Sequence, residues 1–572
     1  MKRGKDVSNI RNLLAAAGSL ALGATALAAP ATAAAAWTAT ATHQHAALEK
    51  ATLLGAPPAS QVLHVAVALQ PRNRQTLDDF IASQRTPGSP GYGQVLSSAQ
   101  YAANFAPSAA QVQAVISYLQ SQGFTKVSAI GDGQLVTADG SRATVEAAFN
   151  TRLMQYQYNG RTVHINVADA QVPDSLGGTV LSVLGLQDAD LAQTLIVHAA
   201  AKAAQPLAAS ATGHVPVQFA QIYGASSLPP ATSVNIGIIA SGDLTGVVTD
   251  LRTYETQNNL AQVTVNFVPS ATVSTDTSGS DEWDLDSQSS TSMAGGAKSI
   301  YFYNAASLDD ADLATDFAQV ASDNAVSVLN ISLGECESSA KSDGFIAAAD
   351  VSFEKAGAEG ISVFAASGDG GAYTGCSAQE GILTSVSYPA SSPYVTAVGG
   401  TTLNTNSDDS YGGETAWNGS GGGISTEETL PTWQTAVVTA QGKGYTGRAV
   451  PDLAMDADPN SGAIIIVSGS SEQVGGTSLA TPLAVGAVAR LDAIRLQNQQ
   501  APVGFFNPQL YQIATATPTA VNDVTSGCNT GTNILDALLS DLLGQKNYCA
   551  GTGFDEVTGW GSLNLPVFAT EI

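Results

Sequence analysis

A serine at position 478 sits in Gly475-Gly476-Thr477-Ser478-Leu479-Ala480-Thr481-Pro482. Glycines before it and a helix after it can hold the hydroxyl on a sharp turn. The helix start adds backbone N–H groups able to support an oxyanion. Pro482 is compatible with a first helical turn. A second candidate is Ser280-Asp281-Glu282-Trp283-Asp284-Leu285-Asp286. On a helix, Glu282 and Asp286 share a face at i,i+4. Carboxyls held that close raise one pKa, which suits proton transfer; the plain alternative is a solvated acidic face. A third is Ala366-Ser367-Gly368-Asp369-Gly370-Gly371, where an apolar strand delivers Asp369 either to a cleft or to an Asx turn. A fourth pairs Asn522-Asp523-Val524-Thr525 with Gly551-Thr552-Gly553-Phe554-Asp555. Two carboxylates plus carbonyls made accessible by glycine suit a hard cation taking about 6–8 oxygens. Two ordinary turns would read the same way.

The histidines limit the mechanism. All six, His43, His45, His64, His164, His198 and His214, lie at or before residue 214. A seryl nucleophile needs a base within hydrogen-bond reach. A Ser-His-Asp triad built wholly after residue 214 is therefore excluded; a front-domain histidine could serve only while that domain stays docked, and the other candidates are carboxylates. A Glu base, with an ordinary pKa of ~4.3 against ~6.5 for His, works best in acid. Asp369 could help an oxyanion only when protonated, which again calls for low pH.

Short apolar strands alternating with helical stretches must position these residues. Strands are expected at 234–240, 263–268, 299–303, 326–332, 361–366 and 464–467, with an amphipathic helix over 309–325. That order predicts an α/β, doubly wound parallel sheet, with functional residues at the strands' carboxyl ends. Ahead of it, 62–190 reads as a smaller α+β domain. Its predicted elements are strands at 62–69, 135–138, 153–158 and 162–167, a helix at 111–122, and an Asn159-Gly160 hairpin turn. Residues 193–213, rich in Ala, Ser and Thr, read as an exposed linker.

The chain has 572 residues, 12% of them charged, and a formal charge of −26. So acidic a protein is no generic polyanion binder, since phosphate backbones need Lys and Arg. The charge is uneven: residues 215–572 carry 9 basic and 37 acidic side chains, whereas 37–214 carry 9 and 10. With few bases to charge up, the back half avoids positive self-repulsion in acid. Residues 1–36 show a basic head, an apolar run from Leu13 to Ala29 and small residues after it, the pattern of a secretory signal peptide. No later run reaches the ~20 apolar residues of a membrane span. Four cysteines in an exported chain suggest two disulfides. Three pairings are possible, and the sequence neighbours Cys336–Cys376 and Cys528–Cys549 are favoured.

Taken together, the four motifs resemble the sedolisin family, the serine-carboxyl peptidases with a subtilisin-like fold. The run Tyr388–Thr401, Trp417 with Gly421-Gly422-Gly423-Ile424-Ser425, and Arg448-Ala449-Val450-Pro451-Asp452 agree with it. Residues 62–190, with Tyr92-Gly93-Gln94 and Tyr101–Ser108, resemble the family's activation prodomain of the pro-kumamolisin type. Among members the chain looks most like the bacterial, pepstatin-insensitive kind. The resemblance implies a zymogen: signal peptide 1–36, prodomain 37–192, linker with processing site 193–213, and peptidase domain 214–572. It implies Ser478 as nucleophile, Glu282 as base and then acid, Asp286 as its orienting partner, and Asp369 as oxyanion donor. One structural Ca2+ would be held by the carboxylates of Asp523 and Asp555 and the carbonyls of Val524, Gly551 and Gly553. Trp283 would line the substrate cleft, and the edge containing Ser332 and Gly334 would pair with substrate backbone. Leu333 departs from the pattern, because many members carry Trp there. Expected partners are protein or peptide substrates and the chain's own prodomain as intramolecular inhibitor, with no nucleic acid and no membrane, in a secreted monomer. Cleavage is expected near Ala200–Thr212. Acid is expected to loosen the prodomain by discharging carboxylates and charging histidines.

Overall fold

Alternation along Val62–Leu69 gives one strand two jobs. Val65, Val67 and Leu69 join Val115 and Leu119 of the helix Ala109–Gln122 in the front domain's own core. Ala66 and Ala68 point the other way and, with Leu135 and Leu184, enter the core of the back domain. Their small side chains let the helices Asp310–Asp323 and Phe345–Glu359 lie close to the sheet. The computed structural model describes residues 36–45, 51–84, 86, 88–199, 213–270, 274–373, 384–531 and 547–572. Within it, Trp37–Ile572 form one compact unit. Residues 1–35, and with them the expected signal peptide, lie outside the described residues.

The front sheet is antiparallel, ordered Thr125–Ile130, Leu135–Ser141, Val62–Leu69, Val180–Leu184. The expected hairpin is present: Leu153–Tyr158 returns as Arg161–Asn166 through Asn159 (φ 46°) and Gly160 (φ 79°), both left-handed.

The back sheet has eight strands. Its path runs Thr264–Pro269, Ala297–Ala305, Ala231–Ser241, Val328–Ile331, Ser362–Ala366, Thr396–Thr405, Tyr411–Ala416, and Leu453–Asp456 also pairs with Thr396–Thr405. All pairs are parallel except that with Tyr411–Ala416. Strand order reverses beside Ala231–Ser241, which opens a crevice at the carboxyl ends. Helix Ser280–Ala294 is buried from Glu282 onward and packs on Thr477–Gln497. Small residues make that crossing close: a Cβ on Gly486 would lie 2.5 Å from Ser290 O.

Three expectations change. The strand Ala463–Val467 lies outside the parallel sheet, in an antiparallel trio with Ser470–Gly475 and Val197–His198. The stretch expected as one strand at 326–332 ends at Ile331, and Leu333–Cys336 pairs elsewhere. The third concerns the linker, which is not free over its first residues. Gln193–Thr194 pairs antiparallel with Leu333–Gly334, and Val197–His198 with Val474–Gly475. Its β-prone run Thr-Leu-Ile-Val finds open strand edges on both sides, and backbone pairing outweighs the disorder expected of its neighbours. The predicted cleavage region, 200–212, lies outside the described residues. Cys528–Cys549 forms as expected; Cys376 lies outside the described residues.

Candidate active site

Ser478 is the second residue of the helix Thr477–Gln497, entered through Gly476 at φ 95°, ψ 165°, a backbone shape kept for glycine. A Cβ there would stand 2.1 Å from Leu195 O and 2.8 Å from Asp369 Oδ2. Gly476 thus lies close to both the chain's own Leu195 carbonyl and the Asp369 carboxyl. Ser478 Oγ lies 3.5 Å from Ser332 O. Its hydroxyl also favours the ionised form of Glu282. Glu282 Oε1 nonetheless makes no hydrogen bond of normal geometry, so the Ser–Glu contact is loose in this form.

Glu282 and Asp286 share a buried face one helical turn apart. Burial pushes Glu282 well above the usual carboxylate range, and the neighbouring Asp286 charge adds to it. Burial also raises Asp286, against hydrogen bonds from Ser332 and Asn330. Ser332 Oγ donates to Asp286 Oδ1 at 2.6 Å, and Asn330 Nδ2 donates to Ser332 Oγ at 3.0 Å. The two carboxyls therefore bias each other towards the neutral form, and Asp286 is clamped to the strand end by Ser332. Glu282 Oε2 accepts from Leu195 N at 2.9 Å.

Asp369 follows the strand Ser362–Ala366. Its Oδ1 accepts from Thr477 N and Thr477 Oγ1, each at 2.8 Å, while buried Oδ2 has no partner. Burial lifts its pKa to about 7, against those two bonds. Below that, Oδ2 carries a proton it can donate.

The structure brings Ser478, Glu282, Asp286, Asp369, Ser332 and Gly334 to one cleft. Gly334 lies under the Leu195 side chain, 3.2 Å from a would-be Cβ to Leu195 Cδ1. Trp283 is 1% exposed, gives its indole N–H to Ser241 O at 2.9 Å, and lines a cavity closed by Leu191, Ala192 and Thr194. The other expected set lies apart from this cleft. Asp523 Oδ2 accepts from Gly553 N at 2.9 Å, and Asp555 Oδ2 from Gly551 N at 2.8 Å, beside buried Val524. Both carboxylates face one glycine loop. This all-oxygen donor set fits calcium, and burial lifts Asp555 to about 6.

Sequence reasoning missed Thr477, Asn330 and Leu195. Thr477 stands inside the serine motif, so its place there was a readable signal. Asn330 and Leu195 carry no local signal, because only folding brings them to the cleft.

A serine at a helix start, a buried carboxyl pair and a protonatable carboxyl on a subtilisin-like sheet define a serine-type peptidase. Residues 49–189 match the pro-kumamolisin activation domain, and 286–561 match the subtilase family. Over 528 residues the chain is 40% identical to sedolisin from Pseudomonas sp. (strain 101), covering 89% of this chain and 86% of that protein. It is 38% identical to xanthomonalisin from Xanthomonas sp. (strain T-22) over 559 residues, covering 89% of this chain but 65% of that one. The crystal structure of Pseudomonas sedolisin, a serine-carboxyl proteinase complexed with two molecules of pseudo-iodotyrostatin, aligns with a TM-score of 0.57 at 38% identity. It covers 63% of this chain and 98% of that one. The chain belongs to the sedolisin family of serine-carboxyl peptidases, as a zymogen with its activation domain.

Proposed function

We propose that this chain is a secreted zymogen of an acid-acting endopeptidase that first cuts itself at Leu195–Ile196. One observation carries the reading: Gln193–His198 lies across the cleft as an extended strand paired on both sides. Leu195 N donates to Glu282, and Leu195 O lies against the Gly476 turn that leads to Ser478, with Asp369 Oδ2 on the same turn.

In that register Ser478 Oγ attacks the Leu195 carbonyl carbon. Glu282 in its ionised form takes the hydroxyl proton and returns it to the Ile196 nitrogen as the C–N bond breaks. Asp286, clamped by Ser332, holds Glu282 in place and shares its proton. Protonated Asp369 donates from Oδ2 to the oxyanion, and its Thr477 bonds keep the other oxygen fixed. Water then hydrolyses the acyl-serine with Glu282 as base. Other protein or peptide chains use the same track once the prodomain leaves. Trp283, Ser332 and Gly334 border that track.

The boundaries that go with this reading are prodomain 37–192, linker 193–213 and peptidase 214–572. Secretion rests on the amino-terminal pattern. Among the described residues no helix is long and apolar enough to cross a membrane. Titratable groups meet at the prodomain contact: His45 Nε2 lies 3.6 Å from Asp343 Oδ2 across it and 3.1 Å from Asp190 Oδ2 within the prodomain. A calcium ion would be held by Asp523, Asp555 and the carbonyls of Val524, Gly551 and Gly553. It would neutralise the two carboxylates and tie the 551–555 loop to Asp523.

The test is self-cleavage of purified precursor at a pH of about 4, near the ordinary Glu pKa, wild type beside Ser478→Ala. Only wild type should lose its front domain, with Ile196 as the first new amino terminus by mass spectrometry, and then digest denatured protein. If neither form cleaves or digests protein while folded, the reading fails.

A further inference from the structure

Beyond the bond itself, the seated strand presents one charged contact that the chemistry does not use. Counting from Leu195–Ile196, His198 is the third residue on the leaving-group side. Its Nε2 lies 2.9 Å from Asp281 Oδ2 and its Nδ1 3.5 Å from Glu472 Oε2. We infer that Asp281 and Glu472 form a specificity subsite that takes a cationic side chain at the third residue after the scissile bond. This rests on the register proposed above.

The two carboxylates come from opposite walls. Asp281 opens the helix that carries Glu282, and its Oδ1 is occupied by the Glu282 N–H at 3.0 Å. That bond fixes the carboxylate and leaves Oδ2 facing the cleft. Glu472 stands on Ser470–Gly475, the strand that pairs with Val197–His198. Backbone pairing sets the height of the third residue, and the side-chain pair then reads its charge. Behind them Asp284 is buried with neither oxygen partnered. Burial lifts it to about 9, with Asp250, Asp281 and Glu472 adding to the rise, so the whole wall carries negative potential. His198, Asp281 and Glu472 are 49%, 24% and 43% exposed, so the contact is partly wet. Its weight is therefore that of partly exposed, charge-assisted pairs, roughly threefold to tenfold in rate for two.

The catalytic domain is acidic overall, so any cationic peptide is attracted to it. The test must be positional. Mature enzyme, made by self-processing of the full chain, is given peptides containing Gln-Thr-Leu-Ile-Val-X at about pH 5, above the ordinary carboxylate range. X is Lys, Ala or Glu, and one isomer moves the Lys one residue further on. Products are identified by mass. The expected kcat/KM is about threefold to tenfold higher for X = Lys than for its isomer, and lowest for X = Glu. Asp281→Asn with Glu472→Gln should bring the Lys-to-isomer ratio to about one, and Glu472→Lys should reverse the order of Lys and Glu, outcomes a merely structural role would not produce. Cleavage at Leu–Ile with the same rates for Lys, its isomer and Glu, or a ratio unmoved in the variants, overturns the subsite alone. Cleavage at another bond overturns the register and the subsite together.

Discussion

The Leu195 amide donates to Glu282 Oε2 at 2.9 Å, while the Leu195 carbonyl rests against Gly476. The chain's own linker thus occupies the carboxylate that a substrate's reaction needs. It lies there as a substrate would, so inhibition and readiness for cleavage share one geometry. A methyl group at Gly476 would fall 2.1 Å from that carbonyl oxygen at a positive φ. Gly476→Ala should therefore slow self-cleavage and peptide hydrolysis together, by about 100-fold or more, as displacements near 1 Å do. Gel kinetics and a peptide assay on the same preparation measure both.

Asp369 gives a pH-dependent prediction. Its pKa is pushed up to about 7 by burial. Oxyanion donation is therefore present below pH 7 and lost as pH rises through it. Asp369→Ala should lower kcat by about 100- to 1,000-fold with little change in KM. Asp369→Asn keeps an N–H donor at all pH values. It should retain more activity than the alanine variant and lose the fall near pH 7. A kcat–pH profile separates the three proteins.

The prodomain's own acid stability has a named contributor. Burial works to raise Asp190, but the hydrogen bond and charge of His45 outweigh it, and its pKa is lowered. A lowered carboxylate stabilises the fold above its unfolded value and loses that stabilisation as pH falls through the folded one. Acid below about pH 4 therefore weakens this pair inside the prodomain. In the Ser478→Ala background, Asp190→Asn should lower the melting temperature at about pH 6 and flatten the loss of stability below about pH 4, as thermal unfolding across that range would read.

Nearby carboxyls act in the opposite direction. Asp310 and Glu335 are fully buried, with oxygens outside normal hydrogen-bond geometry. Burial raises both well above the usual range; Asp309 and Asp190 add to Asp310, and Asp310, Asp343 and Asp190 to Glu335. A raised carboxyl stabilises fully below its unfolded pKa, and this is lost as pH rises towards neutral. In the Ser478→Ala background, Glu335→Gln should flatten the loss of stability between about pH 5 and 7, by at most ~1.4 kcal/mol per pH unit. At pH 4 the melting temperature should barely move. Thermal unfolding across that range tests it.

Calcium gives a ligand-removal prediction. Chelation should lower the melting temperature of the Ser478→Ala precursor. Restoring calcium at about 100 times its Kd should return ~2.7 kcal/mol. Asp523→Asn should make melting insensitive to chelator. A wild-type melting curve unmoved by chelator would remove calcium from this loop.

Much of the fold was legible because burial writes a period into sequence. Val234, Ile236 and Ile238 mark a central strand, and Asp309 caps the helix Asp310–Asp323 as its side chain suggests. The helix Ser280–Ala294 was harder. Its run Ser287–Ser292 looks like a wet surface, yet it is buried on every side. Small polar side chains there allow a close helix crossing, which no amphipathic pattern reveals. The strand Ala463–Val467 was misassigned because an apolar run does not state which sheet it joins.

By itself the sequence determined the chemistry available to this protein. With no histidine after residue 214, only carboxylates of the back domain stand beside Ser478 as a base, and Glu282 and Asp286 are bound to one helical face by spacing. Spacing is local, so it survives without knowledge of the fold. The tertiary structure decided the rest. It brought Ser332 and Asn330 to Asp286, Thr477 to Asp369, and Leu195 into the cleft between two strand edges. The hydrogen bonds among them join residues up to 108 positions apart, and they depend on strand order and register, which local pattern does not encode.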